Sequence, residues 1–262
     1  AYYYFRLVRA FGDVPMPMVP LTSSSEWQQP RSPKSAVYAL ILSDLTNAEA
    51  MLWKKSEVPA EEAGIATKGA AQAMLMKVNL YLKDYDEAHK WGTALMKQAD
   101  EEGEYTLCNN YNDNFTLEGE NGPESIFEIQ YMEDPTSDFG EGFGFTRGTF
   151  TPILTRSRSS KLGAGWGFNK PTQNLYDEFE AGDPRRDWTI INPSDELIET
   201  PEQEIYLGCR YLNRKYAIMT SDDNSTWYAL SHQSRGPINN KQIRFADALL
   251  MYAEACLGSG LD

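Results

Sequence analysis

Residues Thr67–Asp100, TKGAAQAMLMKVNLYLKDYDEAHKWGTALMKQAD, carry the pattern that decides the fold of this chain. Apolar residues recur there at intervals of three and four in two successive runs, as on one face of an α-helix. The first run contains Ala71, Met74, Leu75, Val78, Tyr81 and Leu82, and the second contains Ala88, Trp91, Leu95 and Ala99. The pattern predicts two antiparallel helices that pack through these faces.

The turn between the two runs carries a helix-start signal. Asp84 is predicted to cap the second helix, and Glu87 follows three residues later, as in a capping box. The run 84–88 resembles the turn of a tetratricopeptide repeat, where a small residue such as Ala88 lets two helices approach closely. Gln72 occupies the place where that repeat usually has a large aromatic residue. Because one hairpin cannot bury its outer face alone, further helical pairs are expected to stack on it.

Two more helices are predicted before the central hairpin. A helix over residues 1–11 ends at Gly12, and its buried face is predicted to contain Tyr3, Leu7, Val8 and Phe11. A second helix starts with Ser32 as cap and Pro33 at its first position, and ends near Trp53. Its buried stripe is predicted to contain Val37, Ile41, Ala48 and Leu52. These two helices, joined by an extended loop, form a second predicted hairpin.

The character of the sequence changes beyond residue 100. Residues 101–237 hold most of the glycines and many Asn, Asp and Ser, which predicts a loop-rich region. Within it, 125–131 and 211–219 are predicted strands and 171–180 a short helix closed by Gly182. Residues 242–257 predict one more amphipathic helix, the first half of a further hairpin, with a stripe of Ile243, Ala246, Leu250, Ala253 and Leu257. The predicted fold class is mainly α, with helical hairpins and a loop-rich region that carries a few short strands.

Composition excludes several kinds of partner. Of the 262 residues, 41% are hydrophobic, which is enough for a sizeable core. No segment has the length and apolarity of a transmembrane helix or a signal peptide. A net charge of −14 repels phosphate backbones and anionic lipid, so nucleic acid is not an expected partner. Because the sequence starts inside one helical pattern and stops just after another, we expect it to be part of a longer chain.

Catalytic, metal and cofactor motifs are absent from the sequence. His89 and His232 have no Ser or Cys in a recognisable nucleophile setting. Asp222–Asn224 lacks the glycine and glutamate of a calcium loop, and the glycines of 140–144 are flanked by neither strand nor helix. The cysteines, which lack the paired spacing of zinc sites, are Cys108, Cys209 and Cys256. We therefore predict no metal, no cofactor and no enzyme; a carboxylate-pair glycosidase is the catalytic alternative.

Aromatic residues are more informative, because 15 Tyr, 11 Phe and 6 Trp exceed what the predicted helices need. Trp53 and Trp91 are predicted core residues, whereas the tryptophans in loop-rich sequence are Trp27, Trp166, Trp188 and Trp227. A loop aromatic is either packed as an anchor or exposed as a flat platform, and an exposed ring suits the apolar face of a sugar or a peptide side chain. The candidate ligand contacts are, in order of preference, Trp227 and Tyr228, then Phe143 and Phe145, then Trp166 and Phe168.

Separated stretches of the chain together resemble the SusD/RagB family and occur in that family's order. They are residues 11–15, 31–45, 69–88, 124–130, 182–186, 214–216 and 243–255. The resemblance implies a single SusD-like domain over 1–262, truncated at both ends. Its parts would be helical hairpins in 1–100, a loop-rich ligand-facing region in 101–237 and one helix in 238–262. Asp183, Arg185 and Arg186 would form a structural charge cluster at a helix end.

The same resemblance implies a function that no single motif carries. SusD-like proteins are surface-exposed outer-membrane lipoproteins of Bacteroidetes-type bacteria, built on tetratricopeptide-like helices. They bind glycans without cleaving them and deliver them to a SusC-type TonB-dependent transporter. Capture of oligopeptides by the same kind of complex, as in RagB-like proteins, is the first alternative, and a glycoside hydrolase is the second. The lipid anchor would belong to an amino-terminal part absent from this sequence.

Overall fold

A computed structural model describes residues 1–133, 147–198, 205, 210–218 and 227–261. Within those ranges the chain contains eight α-helices and four short strands, so the predicted mainly α fold class is confirmed. The chain divides into two compact units, the first made of Ala1–Leu107 and Ile243–Asp262 and the second of Cys108–Gln242.

The elements of both units are numbered in chain order. The helices are α1 (Tyr2–Phe11), α2 (Lys34–Met51), α3 (Lys68–Leu82), α4 (Tyr85–Asp100), α5 (Thr151–Thr155), α6 (Gln173–Asp177), α7 (Pro184–Thr189) and α8 (Phe245–Ser259). The strands are β1 (Ser125–Ile129), β2 (Ile190–Ile191), β3 (Leu212–Asn213) and β4 (Asn240–Arg244). Short 3₁₀ turns connect several of them.

The central hairpin is confirmed as α3 and α4. Asp84 caps α4 by accepting the amide of Glu87 at 3.2 Å, and Ala88 is completely buried, as the close approach of the helices requires. The second hydrogen bond of the predicted capping box is wrong. The Glu87 carboxylate does not reach back to the start of the helix and pairs instead with Lys90 at 2.9 Å. The α3 stripe is buried from Ala71 to Val78, but Tyr81 and Leu82 are exposed at the end of the helix.

Helix α3 is buried on almost every side because α2, α4 and α8 all pack against it. Gln72, in the aromatic position of the repeat, lies inside this packing. Its side chain donates to the Glu49 carboxylate at 3.0 Å and accepts from the Gln98 amide at 2.6 Å. Buried polar groups need such partners. Paired amides therefore occupy the space that an aromatic ring fills in the repeat.

Helix α1 packs on α2 through a face different from the predicted one. Phe5 and Val8 are buried, and the Phe5 ring meets Tyr38 of α2 edge-on at 6.3 Å. The predicted face is therefore wrong in Tyr3, Leu7 and Phe11, which are all exposed. A single short helix offers two overlapping apolar stripes, and the position of α2 selects the one that becomes buried.

The start of α2 is capped from a distant part of the chain, so the prediction of Ser32 as its cap is wrong. Asp13 accepts the amide of Lys34 at 2.8 Å, and Arg31 donates to the carbonyls of Asp13 and Phe11 at 2.7 and 2.8 Å. The helix ends at Met51, and its buried residues are Val37, Tyr38, Ile41 and Leu45. Ala48 and Leu52 are half-buried, and Trp53, predicted to be a core residue, is exposed.

Helix α8 starts at Phe245 rather than near residue 242, because the preceding residues form β4. Its buried face is Phe245, Ala248, Met251 and Ala255, turned toward α3 and α4. Of the predicted stripe, Ile243 is buried in β4, but the helical part lies toward the exposed side, where Leu250 is 73% and Leu257 84% exposed. Both stripes have helical spacing, so the choice between them depends on the neighbouring helices. Trp91 and Cys256, predicted to be core residues, are half-buried.

The strands of the second unit are shorter than predicted. Strands β2 and β3 pair antiparallel, with Ile190 opposite Asn213 and Ile191 opposite Leu212. The strand predicted over 211–219 stops after two residues, since Tyr216 and Ile218 have positive φ angles. The 171–180 helix is limited to the five residues of α6.

Strand β1, which is hydrogen-bonded to β4, carries a buried ion pair. The Glu128 carboxylate lies 2.9 Å from Lys241 Nζ, and both side chains are almost completely buried. Asn239 donates to the same carboxylate at 3.0 Å. Burial raises the pKa of Glu128, but the charge of Lys241 and the hydrogen bonds outweigh it and hold that pKa below its ordinary value.

Stability is therefore expected to depend on pH through Glu128. A lowered pKa in the folded state means that the carboxylate stabilises the fold above the unfolded pKa of about 4.5, and that this contribution disappears as pH falls through the folded value. Glu128→Gln mimics the protonated acid. Its free energy of unfolding should be lower than that of the parent at pH 7, and the difference should shrink as pH falls below about 4.5 and the parent carboxylate becomes protonated. A difference that stays constant across urea titrations at pH 7, 5, 4 and 3 contradicts this account.

The helical hairpin makes a separate prediction about packing. Ala88→Trp should overfill the interface of α3 and α4 and lower the free energy of unfolding by about 1 to 3 kcal/mol. Lys97→Trp places the same side chain on the exposed side of α4 and should change stability by about 0.5 kcal/mol or less. Thermal and urea denaturation of both variants compares them directly. Equal stability of the two variants would show that Ala88 is not at a tight helix contact.

Candidate functional site

A loop that follows α5 is held by consecutive main-chain hydrogen bonds. Five successive amides, 164–168, donate to carbonyls of residues 153–159 at 2.5 to 3.0 Å. The acceptors, in the order of these donors, are the carbonyls of Ser159, Ser157, Ile153, Arg156 and Leu154. A loop whose amides are all paired in this way has a fixed backbone.

Two glycines of the sequence 163–167, GAGWG, are required by this arrangement. A Cβ at Gly165 would lie 2.5 Å from Arg156 Cβ and 2.6 Å from the Ile153 carbonyl oxygen, closer than any side chain allows. Gly167 has a φ of +70°, in the left-handed region that favours glycine. The sequence around Trp166 is therefore set by the packing of the loop on α5.

The loop presents two exposed aromatic rings. Trp166 is 39% and Phe168 54% exposed, and their ring centroids are 6.4 Å apart at an interplanar angle of 74°. Phe150, at the start of α5, lies with its ring 6.2 Å from that of Trp166. We call Trp166, Phe168 and Phe150 the aromatic platform. Sequence reasoning missed Phe150, because nothing local distinguishes it from a core phenylalanine.

A basic side chain lies directly beside this platform. Arg158 Nε donates to the main-chain oxygen of Trp166 at 3.0 Å, and the side chain is exposed. Lys161, three residues further on, is exposed as well and donates to the carbonyl of Glu196 at 3.0 Å. Both cations thus interact with neutral carbonyls.

Trp227, the first predicted ligand contact, is a packed residue. It is half-buried against a cluster of Leu162, Ile191 and Leu212, and the guanidinium of Arg156 lies 5.5 Å from its ring centre. Its indole N–H is buried and has no hydrogen-bond partner among the described residues. The expectation of an exposed platform at Trp227 is therefore wrong, and the alternative of a packed anchor describes the residue.

Tyr228 is anchored in a similar way. Its hydroxyl donates to the Glu133 carboxylate, which also accepts the amide of Ser231 at 3.0 Å. Hydrogen bonds from Ser231 and Tyr228 lower the pKa of Glu133, and the same contact raises the pKa of Tyr228. The ring is half-buried. The remaining predicted contacts, Phe143 and Phe145, lie outside the described residues, as does the 222–224 turn.

Arg156 connects these two parts of the unit. Its Nε donates to the carbonyl of Ala217 at 2.7 Å and its Nη to that of Tyr228 at 2.9 Å. Burial lowers the pKa of its guanidinium to about 10. Its main-chain oxygen accepts the amide of Gly167 at 2.9 Å. One residue thus holds the platform loop through its main chain and the carbonyls of Ala217 and Tyr228 through its side chain.

The other predicted features have structural roles. Asp183 accepts the amide of Arg185 at the start of α7 and pairs with its guanidinium at 2.6 Å, which matches the predicted charge cluster at a helix end. The hydrogen bonds from Arg185 lower the pKa of Asp183. Trp188 packs under the guanidinium of Arg214, 3.7 Å from the ring centre. Trp27 is 68% exposed but lies in the first unit, directly after a short 3₁₀ segment.

The first unit has a cavity of about 650 Å³ beside α1. Tyr3, Leu7, Phe11 and neighbouring Val and Pro residues make its surface apolar. Its polar lining groups are engaged internally, since Tyr4 donates to the carbonyl of Pro17 at 3.0 Å and Arg31 donates to two carbonyls. A sugar needs hydrogen-bonding groups as well as apolar faces. The platform, with a basic side chain beside it, meets that need better.

The described part of the chain has no exposed group of side chains arranged as a nucleophile and base or as a set of metal ligands. His232 Nδ1 lies 2.7 Å from Ser234 Oγ, two residues further along the chain. Ser234 is completely buried, so this contact belongs to a local turn and exposes no nucleophile. Among the described residues, no three His, Cys, Asp or Glu side chains are grouped to hold a metal ion. None of the described helices is long and apolar enough to cross a membrane.

Comparison with known proteins gives consistent similarities. Residues 1–80 match a SusD-like family described as starch-binding and associating with the outer membrane. SusD-like protein P38 of Formosa agariphila is 28% identical over 97% of this chain and 51% of its own length. A laminarin-binding SusD-like protein of known structure is 27% identical, with a TM-score of 0.76, over 97% of this chain and 57% of that one.

A second solved structure shares the fold at lower identity. Surface glycan-binding protein A from Bacteroides thetaiotaomicron, in complex with laminarihexaose, is 22% identical with a TM-score of 0.74, over 98% of this chain and 55% of that one. The chain spans about half the length of the curated relatives it matches. The resemblance to SusD-like proteins stated from sequence motifs is thereby confirmed.

The two tryptophans are expected to respond differently to truncation. Trp227→Ala removes a ring packed on three apolar side chains and on Arg156, and should lower the free energy of unfolding by about 3 kcal/mol. Trp166→Ala removes an exposed ring from a loop fixed by its main chain, and should cost less than about 1 kcal/mol. Urea denaturation of both variants measures the difference. If Trp227→Ala proves as stable as Trp166→Ala, Trp227 is not an anchor.

Proposed function

We propose, from the SusD-like character of this chain, that it binds oligosaccharide without cleaving it and that the aromatic platform is its principal ligand contact. The observation that carries the proposal is the fixed, exposed pair Trp166 and Phe168. An indole or phenyl ring offers a flat apolar surface to the apolar face of a sugar. Because the loop is already ordered by five amide hydrogen bonds, little conformational entropy is lost on binding.

Similar proteins support a glycan over a peptide. The matching family is described as starch-binding, and two proteins with the same fold are a laminarin binder and a complex with laminarihexaose. Capture of an oligopeptide remains the alternative, since an aromatic ring also packs on peptide side chains. A panel that contains both oligosaccharides and oligopeptides separates the two functions.

The cellular role that we propose follows from the family resemblance. The whole protein would be a lipoprotein on the outer face of the outer membrane, and it would pass its glycan to a SusC-type TonB-dependent transporter. The family description, associating with outer membrane, supports this location. Co-purification of a SusC-type transporter from the source organism, with the full-length chain as bait, tests the partnership.

The hydrolase alternative has a direct test. The purified chain is incubated with polysaccharides that it binds, and released reducing ends are measured against a heat-treated sample. Our proposal expects no release above the control. Release that is lost when one carboxylate is changed to its amide would establish a glycosidase.

Binding is expected to depend on Trp166 more than on any other described tryptophan. Trp166→Ala should weaken binding of the best glycan in the panel by about 2 kcal/mol, or about thirtyfold, with the melting temperature nearly unchanged. Trp27→Ala truncates a more exposed indole in the first unit and serves as the control, expected to bind like the parent. Isothermal titration calorimetry measures all three affinities. Equal affinities of Trp166→Ala and the parent would remove the platform from the site.

A further inference from the structure

The platform lies in a segment whose charge is opposite to that of the rest of the chain. Residues 147–176 contain five of the 24 basic residues and none of the 38 acidic ones. The whole chain, in contrast, has a net charge of −14. A basic segment in an acidic protein makes the potential around the rings it carries less negative than elsewhere, which favours an anionic ligand there.

Two of the five basic side chains are placed to act on a ligand. Arg156 is buried and donates to carbonyls, so it does not face solvent. Arg158 and Lys161 are exposed, and among the described residues neither forms an ion pair. The nearby Glu196 contributes its carbonyl to Lys161, while its carboxylate accepts from Ser194 at 3.2 Å. Their charges are therefore not neutralised within the described structure.

The geometry of Arg158 suits recognition of an anion beside a stacked sugar. Its Nε is fixed on the main-chain oxygen of Trp166 at 3.0 Å, which ties the guanidinium to the platform. The two Nη groups make no hydrogen bond to a described residue. A guanidinium binds a carboxylate or a sulfate through two parallel N–H donors, and such charge-assisted pairs are stronger than neutral hydrogen bonds.

From the charge of the segment and the placement of Arg158, we infer that the preferred ligand of the platform is an anionic glycan. One sugar ring stacks on Trp166 and Phe168, and a carboxylate or sulfate on that ring or the next binds the Nη groups of Arg158. Lys161 adds long-range attraction. The inference rests on the proposed function, because it names the class of glycan for the same site.

Matched pairs of probes test this inference. One arm titrates the protein with oligogalacturonate and with its carboxyl-reduced, neutral counterpart, and the other with a sulfated galactan oligosaccharide and its desulfated form. We expect the parent to bind the anionic member of at least one pair about tenfold more tightly, with the preference shrinking as salt rises from about 0.05 to 0.5 M. The arm with the larger preference identifies carboxylate or sulfate as the recognised group.

Arg158→Gln should remove the preference, weakening the anionic probe about tenfold while the neutral probe binds as before. Arg158→Lys keeps the charge but lacks the paired donors. Its affinity for the anionic probe should lie between those of the parent and of Arg158→Gln. Arg6→Gln removes the same charge from an exposed residue of α1 and should bind like the parent. Melting temperatures of all variants confirm that they are folded.

Several results would overturn the inference. A parent that binds the neutral and anionic members of both pairs equally would show a neutral-glycan site, with glycan binding itself intact. Equal losses for both members in Arg158→Gln would show that Arg158 acts only by holding the Trp166 carbonyl. A parent that binds none of the four probes also contradicts the inference, whereas the Trp166→Ala comparison on the wider panel decides the proposed function separately.

Discussion

The hydrogen bonds between the loop 164–168 and α5 are the constraint on which the site depends. They leave no amide of the loop unpaired, so the main chain that carries its two exposed rings is held in place. The close approach of Gly165 to Arg156 and the positive φ of Gly167 are consequences of the same arrangement. Arg156 then extends it, because its side chain fixes the carbonyls of Ala217 and Tyr228.

Local sequence predicts the elements of the first unit well and their contacts poorly. The hairpin of α3 and α4 was predictable because its periodicity, the Asp84 cap and the small Ala88 all lie within one short stretch. The buried faces of α1 and α8 were not, since each helix has a second apolar stripe and the neighbouring helices decide which one is buried. The cap of α2 was missed because Asp13, which accepts the hydrogen bond from the Lys34 amide, lies 21 residues before Lys34 in the sequence.

The sequence indicated which residue types form the candidate site, but it did not indicate which of these side chains are exposed. An excess of aromatic residues in loops pointed to the second unit, where all four candidates that the structure describes lie. Polar neighbours in the sequence suggested that Trp227 was exposed, whereas residues distant in the chain, Leu162, Ile191 and Leu212, bury it. The alternating glycines of 163–167 were the available signal for Trp166, because they indicate a loop packed tightly against another backbone.

The central claim is that a preformed platform at Trp166, and not the packed Trp227, meets the ligand. It is tested most directly by two-dimensional ¹⁵N NMR of the indole N–H groups, assigned by single Trp→Phe variants, during titration with an oligosaccharide that the protein binds. The account predicts that the Trp166 indole signal shifts progressively and saturates, while the Trp227 signal stays within a small fraction of that change. A saturating shift of Trp227 with an unmoved Trp166 would contradict it.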